Sequence, residues 1–283
     1  VDSDEDGFTD AVEIANGSTV THASSTPANI PAVIAGAKLW LDASNINAQN
    51  NAGLSNGDAV STWMDLSGNG NNAIANGSNT GTLLSNGLIS FGYEPGYIID
   101  SPVATSVNQT VFIVEQTKMN SNEQAGMLIS YNQSTDSSTS NWYDKSVMFF
   151  HINYRAQDTI YYRRKDNSTN DVYKYDTNYF NLPFPSEPRV STYFTDNRSS
   201  TVIFNGSTIN THNWEYDVLP LSNDDKLLVA DYYRGEIAEI IIFNEALSTE
   251  QIHEVQAYLS SKWGLTTSVD SDNDGFTDAV EIA

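Results

Sequence analysis

At 283 residues with 39% hydrophobic and 11% aromatic content, the chain is long enough for one β-rich domain of roughly 200 to 250 residues plus small appendages, or for two smaller domains. Its 13 Lys and Arg face 36 Asp and Glu, a formal net charge of -23, which excludes the basic surface that nucleic-acid binding requires. Cysteine is absent, removing disulfides, thiolate metal sites and cysteine nucleophiles together. No apolar run approaches the roughly 18 residues of a membrane span.

Residues 1–15, VDSDEDGFTDAVEIA, return as VDSDNDGFTDAVEIA at 269–283 and differ only at Glu5 against Asn273. The offset of 268 residues between Val1 and Val269 reads as one period of a tandem array plus the opening of the next. Within the segment Asp2, Asp4, Asp6, Asp10 and Glu13 stand at loop positions one, three, five, nine and twelve, with Gly7 at six. That is the ligand order of an EF-hand calcium loop. Alternate carboxylates supply hard oxygen ligands, the Phe8 carbonyl adds a backbone oxygen, and Glu13 closes the shell. The second copy offers Asp270, Asp272, Asp274, Asp278 and Glu281, with Gly275 and Phe276 in the matching places. Ca2+ is the expected ion. Mg2+ fits less well, since it keeps its waters and demands stricter octahedral geometry. The D-x-D-x-D-G-x-x-D-x-x-E pattern resembles the thrombospondin type 3 repeats of bacterial surface proteins, a resemblance covering about fifteen residues at each end. A half-hand is expected, with only the exiting helix AVEIA, which Gly17 stops.

Residues 18–35 are rich in Ser, Thr, Ala and Pro and read as a linker. From residue 36 to 265, short apolar runs alternate with turn signals, the pattern of an all-β antiparallel sandwich. Strands are expected at 110–116, 147–152, 159–163, 190–194, 226–230 and 236–243. Asn205-Gly206 marks a hairpin. One helix is expected after Ser248, whose capping box with Gln251 precedes Ile252, Val255, Tyr258 and Leu259 at helical spacing, with Gly264 ending the run.

LWLDAS at 39–44, STWMDLSGNGNNA at 61–73 and GEIAEIIIFNEALSTEQIHEVQAYLSSKWGL at 235–265 together resemble the laminin-G-like, concanavalin A-like domains of bacterial extracellular proteins. The resemblance spans about 230 residues and implies a jelly-roll of two antiparallel sheets, often with sugar or protein ligands. It does not reach the stretch 131–184, where any specificity is open.

Trp40, Trp63 and Trp263 lie in the family-like segments and are expected to pack between sheet and helix. Trp142 and Trp214 sit among polar residues and are candidates for stacking on a sugar or anchoring a protein. Tyr161, Tyr162, Arg163 and Arg164 belong to a tyrosine-rich stretch with a dense basic cluster, the composition of an interface. No H-E-x-x-H, P-loop or E-x-D-x-E pattern occurs. Glu236 and Glu239, three apart on one strand, are expected on opposite faces. The sequence therefore points away from catalysis. It points toward a calcium-stabilised structural repeat unit of an extracellular or cell-surface bacterial adhesin or filament, meeting neighbouring copies of itself. The alternative is a carbohydrate-binding module that attaches a cell or enzyme to glycans.

Overall fold

A computed structural model describes residues 1–24, 27–77, 80–94, 96–118, 126–132, 145–152, 157–164, 174–180, 187–196, 198–213 and 226–281. Helix α1 (Asp10–Asn16) opens the chain and a 3-10 turn (Ala32–Gly36) follows. The next strands are β1 (Leu39–Asp42), β2 (Ala59–Val60), β3 (Thr62–Trp63), β4 (Ala73–Ala75), β5 (Gly81–Leu83), β6 (Ile89–Glu94), β7 (Tyr97–Ile99), β8 (Gln109–Thr117) and β9 (Gly126–Asn132). Then come β10 (Lys145–Ile152), β11 (Gln157–Arg164), β12 (Lys174–Phe180), β13 (Arg189–Asp196), β14 (Ser199–Phe204), β15 (Ser207–Asn213), β16 (Lys226–Asp231) and β17 (Tyr233–Phe243). Helices α2 (Thr249–Lys262) and α3 (Asp278–Glu281) close it.

Among the described residues the strands form two antiparallel sheets. One runs β15-β14-β13-β8-β17-β6-β5-β2, with β1 also on β17; the other runs β12-β11-β10-β9-β16-β7-β4-β3. This is the expected jelly-roll-like sandwich with a helix toward its C-terminal end. Strand β8 shows why its sequence is a continuous apolar run. Val111 and Ile113 enter the core between the sheets, while Phe112 and Val114 enter a second core on the outer face of the first sheet. A strand buried on both faces cannot alternate apolar with polar.

Turn chemistry fixes the ends of these elements. Asn205 and Gly206 both take positive φ, 49° and 85°, as a two-residue primed turn between right-twisted strands requires. Ser248 and Gln251 complete the capping box of α2, whose Ile252, Val255 and Leu259 pack on Phe112, Val114, Ile241 and Phe243. The same outer layer takes in Ile30 and Ile34. The second half of the 18–35 stretch is thus packed against the sandwich, because two isoleucines find apolar surface there.

Trp40 and Trp63 are buried, and Trp263 is partly buried against both cores. The indole N–H groups of Trp40 and Trp263 donate to Glu239 at 2.7 and 2.6 Å, and the Tyr258 hydroxyl donates to it at 3.1 Å. The Lys262 ammonium bridges Glu239 at 2.8 Å and Asp42 at 2.6 Å. Burial opposes the charge on Lys262, but Glu239 and Asp42 outweigh it and hold the ammonium well above its usual pKa. Glu239 and Glu236 do not face opposite sides. A bulge between Ile237 and Glu239 absorbs one residue, so Ile237 and Ile240 both enter the inter-sheet core. Both glutamates are then left on the other face, where Glu236 pairs with Lys118.

Candidate metal centres in the two end loops

Each end loop is held by its own backbone amides. The Asp2 carboxylate accepts from the N–H of Glu5 at 2.7 Å and of Gly7 at 3.0 Å. The equivalent Asp270 accepts from Asp274 at 3.1 Å and Gly275 at 2.9 Å. Asp6 accepts from the Phe8 N–H and Asp274 from the Phe276 N–H, both at 2.8 Å. Gly7 and Gly275 adopt φ 96° and 99°, the sharp turn for which position six demands glycine. Carboxylate oxygens of Asp2, Asp4 and Asp6 lie within 4.8 Å of one another, as do those of Asp270, Asp272 and Asp274.

In the first loop the three aspartates are partly buried and some of their oxygens are fully so. Asp4 Oδ1 and Oδ2, Asp6 Oδ2 and Glu13 Oε2 are sequestered from solvent with no hydrogen-bond donor, and Glu13 is fully buried at the first turn of α1. Burial, reinforced by Asp4 and Asp6, pushes the Glu13 carboxyl above its usual range. Converging carboxylates without donors are costly on their own and suit a hard cation that takes oxygen ligands. The donor set therefore fits a hard divalent cation such as Ca2+, which Asp2, Asp4, Asp6 and Glu13 would hold through carboxylate oxygens.

The ninth-position acids, expected as ligands, also latch their loops. Asp10 accepts from the N–H and the hydroxyl of Ser3, each at 2.8 Å, which lowers its pKa. Asp278 repeats this with Ser271 at the same distances. Both acids thereby hold the loop closed, and each carboxylate oxygen that accepts one hydrogen bond keeps a lone pair for a cation or for a water bound to one.

The loops are docked on the sandwich. Phe8 and Val12 are buried in the outer core with Ile30, Ile34 and Leu66, worth about 1.5 to 3 kcal/mol each in apolar burial. The Thr9 hydroxyl donates to the Leu66 carbonyl at 3.2 Å, and Gly7 sits so close to Ala35 that a Cβ would fall 2.7 Å from the alanine methyl. The second loop instead buries Val269 and donates the Asp270 N–H to the Asn205 carbonyl at 3.2 Å. There a Cβ on Gly206 would lie 1.4 Å from the Asp270 carbonyl oxygen.

A second concavity adjoins the first loop. A cavity of about 480 Å³ opens between α1, β1 and α2, with Asp42, Asn45, Asn50, Tyr258 and Lys262 among its lining. Trp142 and Trp214 lie outside the described residues. Tyr161, Tyr162, Arg163 and Arg164 fall on β11, between β10 and β12, and their side chains lie outside the described part. One catalytic-looking spacing, G-x-S-x-G at Gly53, Ser55 and Gly57, is a turn. Ser55 and Asp58 bond to each other there and no helix follows, so it lacks the strand-to-helix elbow of a nucleophilic serine.

Residues 2–18 and 270–283 match the bacterial TSP3 repeat. No curated protein matches the chain. Among solved structures, the IT-sialidase CBM40 of Ruminococcus gnavus bound to α2,3-sialyllactose is similar at 14% identity over 52% of this chain and 80% of that one, with a TM-score of 0.39. Trypanosoma rangeli sialidase in complex with sialic acid is similar at 10% identity over 81% of this chain and 33% of that one, with a TM-score of 0.49. Among the described residues no helix is long and apolar enough to cross a membrane.

Proposed function

We propose that the chain is a calcium-stabilised structural repeat unit of an extracellular bacterial adhesin or filament, a laminin-G-like sandwich clamped at each end by a Ca2+ loop. The observation that carries this reading is the set of buried, donorless oxygens on Asp4, Asp6 and Glu13 in a loop already docked on the sandwich. Eleven acidic residues crowd the thirty positions of the two repeats, so the ends repel themselves without a cation. Loops of this kind in extracellular modules bind at roughly 10⁻⁴ to 10⁻³ M. A tenfold excess over the dissociation constant then adds about 1.4 kcal/mol per site. Chelation is expected to lower the unfolding temperature and to open residues 1–17 to protease; unchanged unfolding and unchanged cleavage would refute the reading.

A second reading, a carbohydrate-binding module, is favoured by the polar cavity beside α1. Carboxylate, carboxamide and ammonium groups there match the hydrogen-bonding needs of sugar hydroxyls. A glycan array tests it: binding lost in Asn50→Ala supports the cavity as the site, and an array without signal removes the reading.

A further inference from the structure

The two copies of the repeat bury different faces. In the first, Phe8, Thr9, Val12 and Glu13 are buried, whereas Val1 and Ser3 are exposed. In the second, Val269, Ser271 and Asp278 are buried, whereas Phe276, Val280 and Glu281 are exposed. No position is buried in both copies. Gly7 presses on Ala35, while a Cβ on Gly275 would meet nothing within 4 Å. Since fourteen of fifteen residues are identical, the difference lies in what each copy rests on.

We propose that one such loop is a two-sided joint that seats two sandwiches at once. Val269 fixes it to the sandwich before it through the outer core, the Asp270 N–H bonds the Asn205 carbonyl and the Ser271 backbone lies against Gly206, while Asp278 latches the loop through Ser271. Phe276 and Val280 fix it to the outer layer of a second copy of this sandwich, on the counterparts of Ile30, Ile34, Ala35 and Leu66. The occupant is identified by the first loop, where the same phenylalanine and valine already lie on that surface. Because the two buried sets do not overlap, neither contact displaces the other. Seating the second sandwich would bring the exposed Asp272, Asp274 and Glu281 toward the state of Asp4 and Asp6, which are partly buried, and of Glu13, which is fully buried. Uncompensated carboxylates resist such burial, so docking is coupled to the ion. The joint is stiff with Ca2+ bound and loose without it. This rests on the reading that the loops bind Ca2+.

The test is a two-period chain, residues 1–268 followed by a complete second copy, carrying one spin label on each sandwich. Distances between labels are recorded in Ca2+ and after chelation, with calorimetry reporting Ca2+ uptake separately. A single narrow distribution in Ca2+ that broadens at least twofold on chelation supports the joint. The substitution Val269→Asp at the junction is expected to broaden it in Ca2+ while uptake persists. A broad distribution in Ca2+ with full uptake would overturn the joint and leave the calcium reading standing. A narrow distribution unaffected by both chelation and Val269→Asp would also overturn it, and absent uptake would remove the calcium reading itself.

Discussion

Phe8 and Phe276 hold the same position in two nearly identical repeats, yet Phe8 is 3% exposed and Phe276 is 58% exposed. The side chain is the same, and both loops turn through a glycine of positive φ just before it. The difference is that Phe8 meets Ile30, Ile34 and Leu66, which are brought under it by the 3-10 turn and the loop after β3. A repeat segment that looks like a connector in isolation is, at the start of the chain, part of the outer core.

Truncation should separate the two environments. Phe8→Ala is expected to cost about 3 kcal/mol of stability, the usual loss for emptying a buried aromatic site. Phe276→Ala in the single-period chain should stay within about 0.5 kcal/mol. Denaturant unfolding of the two variants in Ca2+ checks this, and equal costs would show that the first loop is not docked.

Glu13 gives a pH dependence whose sign changes with the ion. Without metal, its folded pKa is raised above the ordinary 4.5 by burial and by Asp4 and Asp6. The folded chain then holds that proton more tightly than the unfolded one, so stability falls as pH rises from about 4.5 through the raised value. Bound Ca2+ favours the ionised carboxylate, and stability should instead rise with pH over the same window. Glu13→Gln should flatten the metal-free slope and weaken Ca2+ binding at this loop by about tenfold, ~1.4 kcal/mol. Thermal unfolding against pH, with and without Ca2+, reads both effects.

The strands, the Asn205-Gly206 hairpin, the capped helix α2 and the stop at Gly17 were legible because each depends on residues near one another in sequence. Ligand spacing likewise marks both end loops. What stayed hidden is non-local or turns on one inserted residue. Nothing in 18–35 announces that Ile30 and Ile34 will find Phe8, and the bulge that brings Glu236 and Glu239 to one face leaves no periodic trace. The latch at position nine is equally hidden, because the serine that donates to both oxygens of Asp10 is seven residues away.

The half-buried Lys262 should behave as the counter-charge of the buried Glu239 and Asp42. Lys262→Met leaves Glu239 and Asp42 without their cation and is expected to cost about 3 to 5 kcal/mol. Adding Glu239→Gln should recover part of that loss, since one stranded charge is then removed. A double-mutant cycle in urea measures the coupling, and strict additivity would contradict it.

Gly206 tests the seat of the second loop. With φ at 85° and the Asp270 carbonyl in the space of a Cβ, Gly206→Ala should cost more than about 1 kcal/mol and speed amide exchange at Asp270 and Ser271. Unchanged exchange there would mean the loop does not rest on the hairpin.

Metal-free protein is expected to take up Ca2+ at both of its ends. Calorimetric titration of the chelated chain should give two sites, with dissociation constants in the range of roughly 10⁻⁴ to 10⁻³ M. Glu13→Gln and Glu281→Gln should each weaken one of them. A titration without heat of binding, or one whose sites survive both substitutions unchanged, would contradict it.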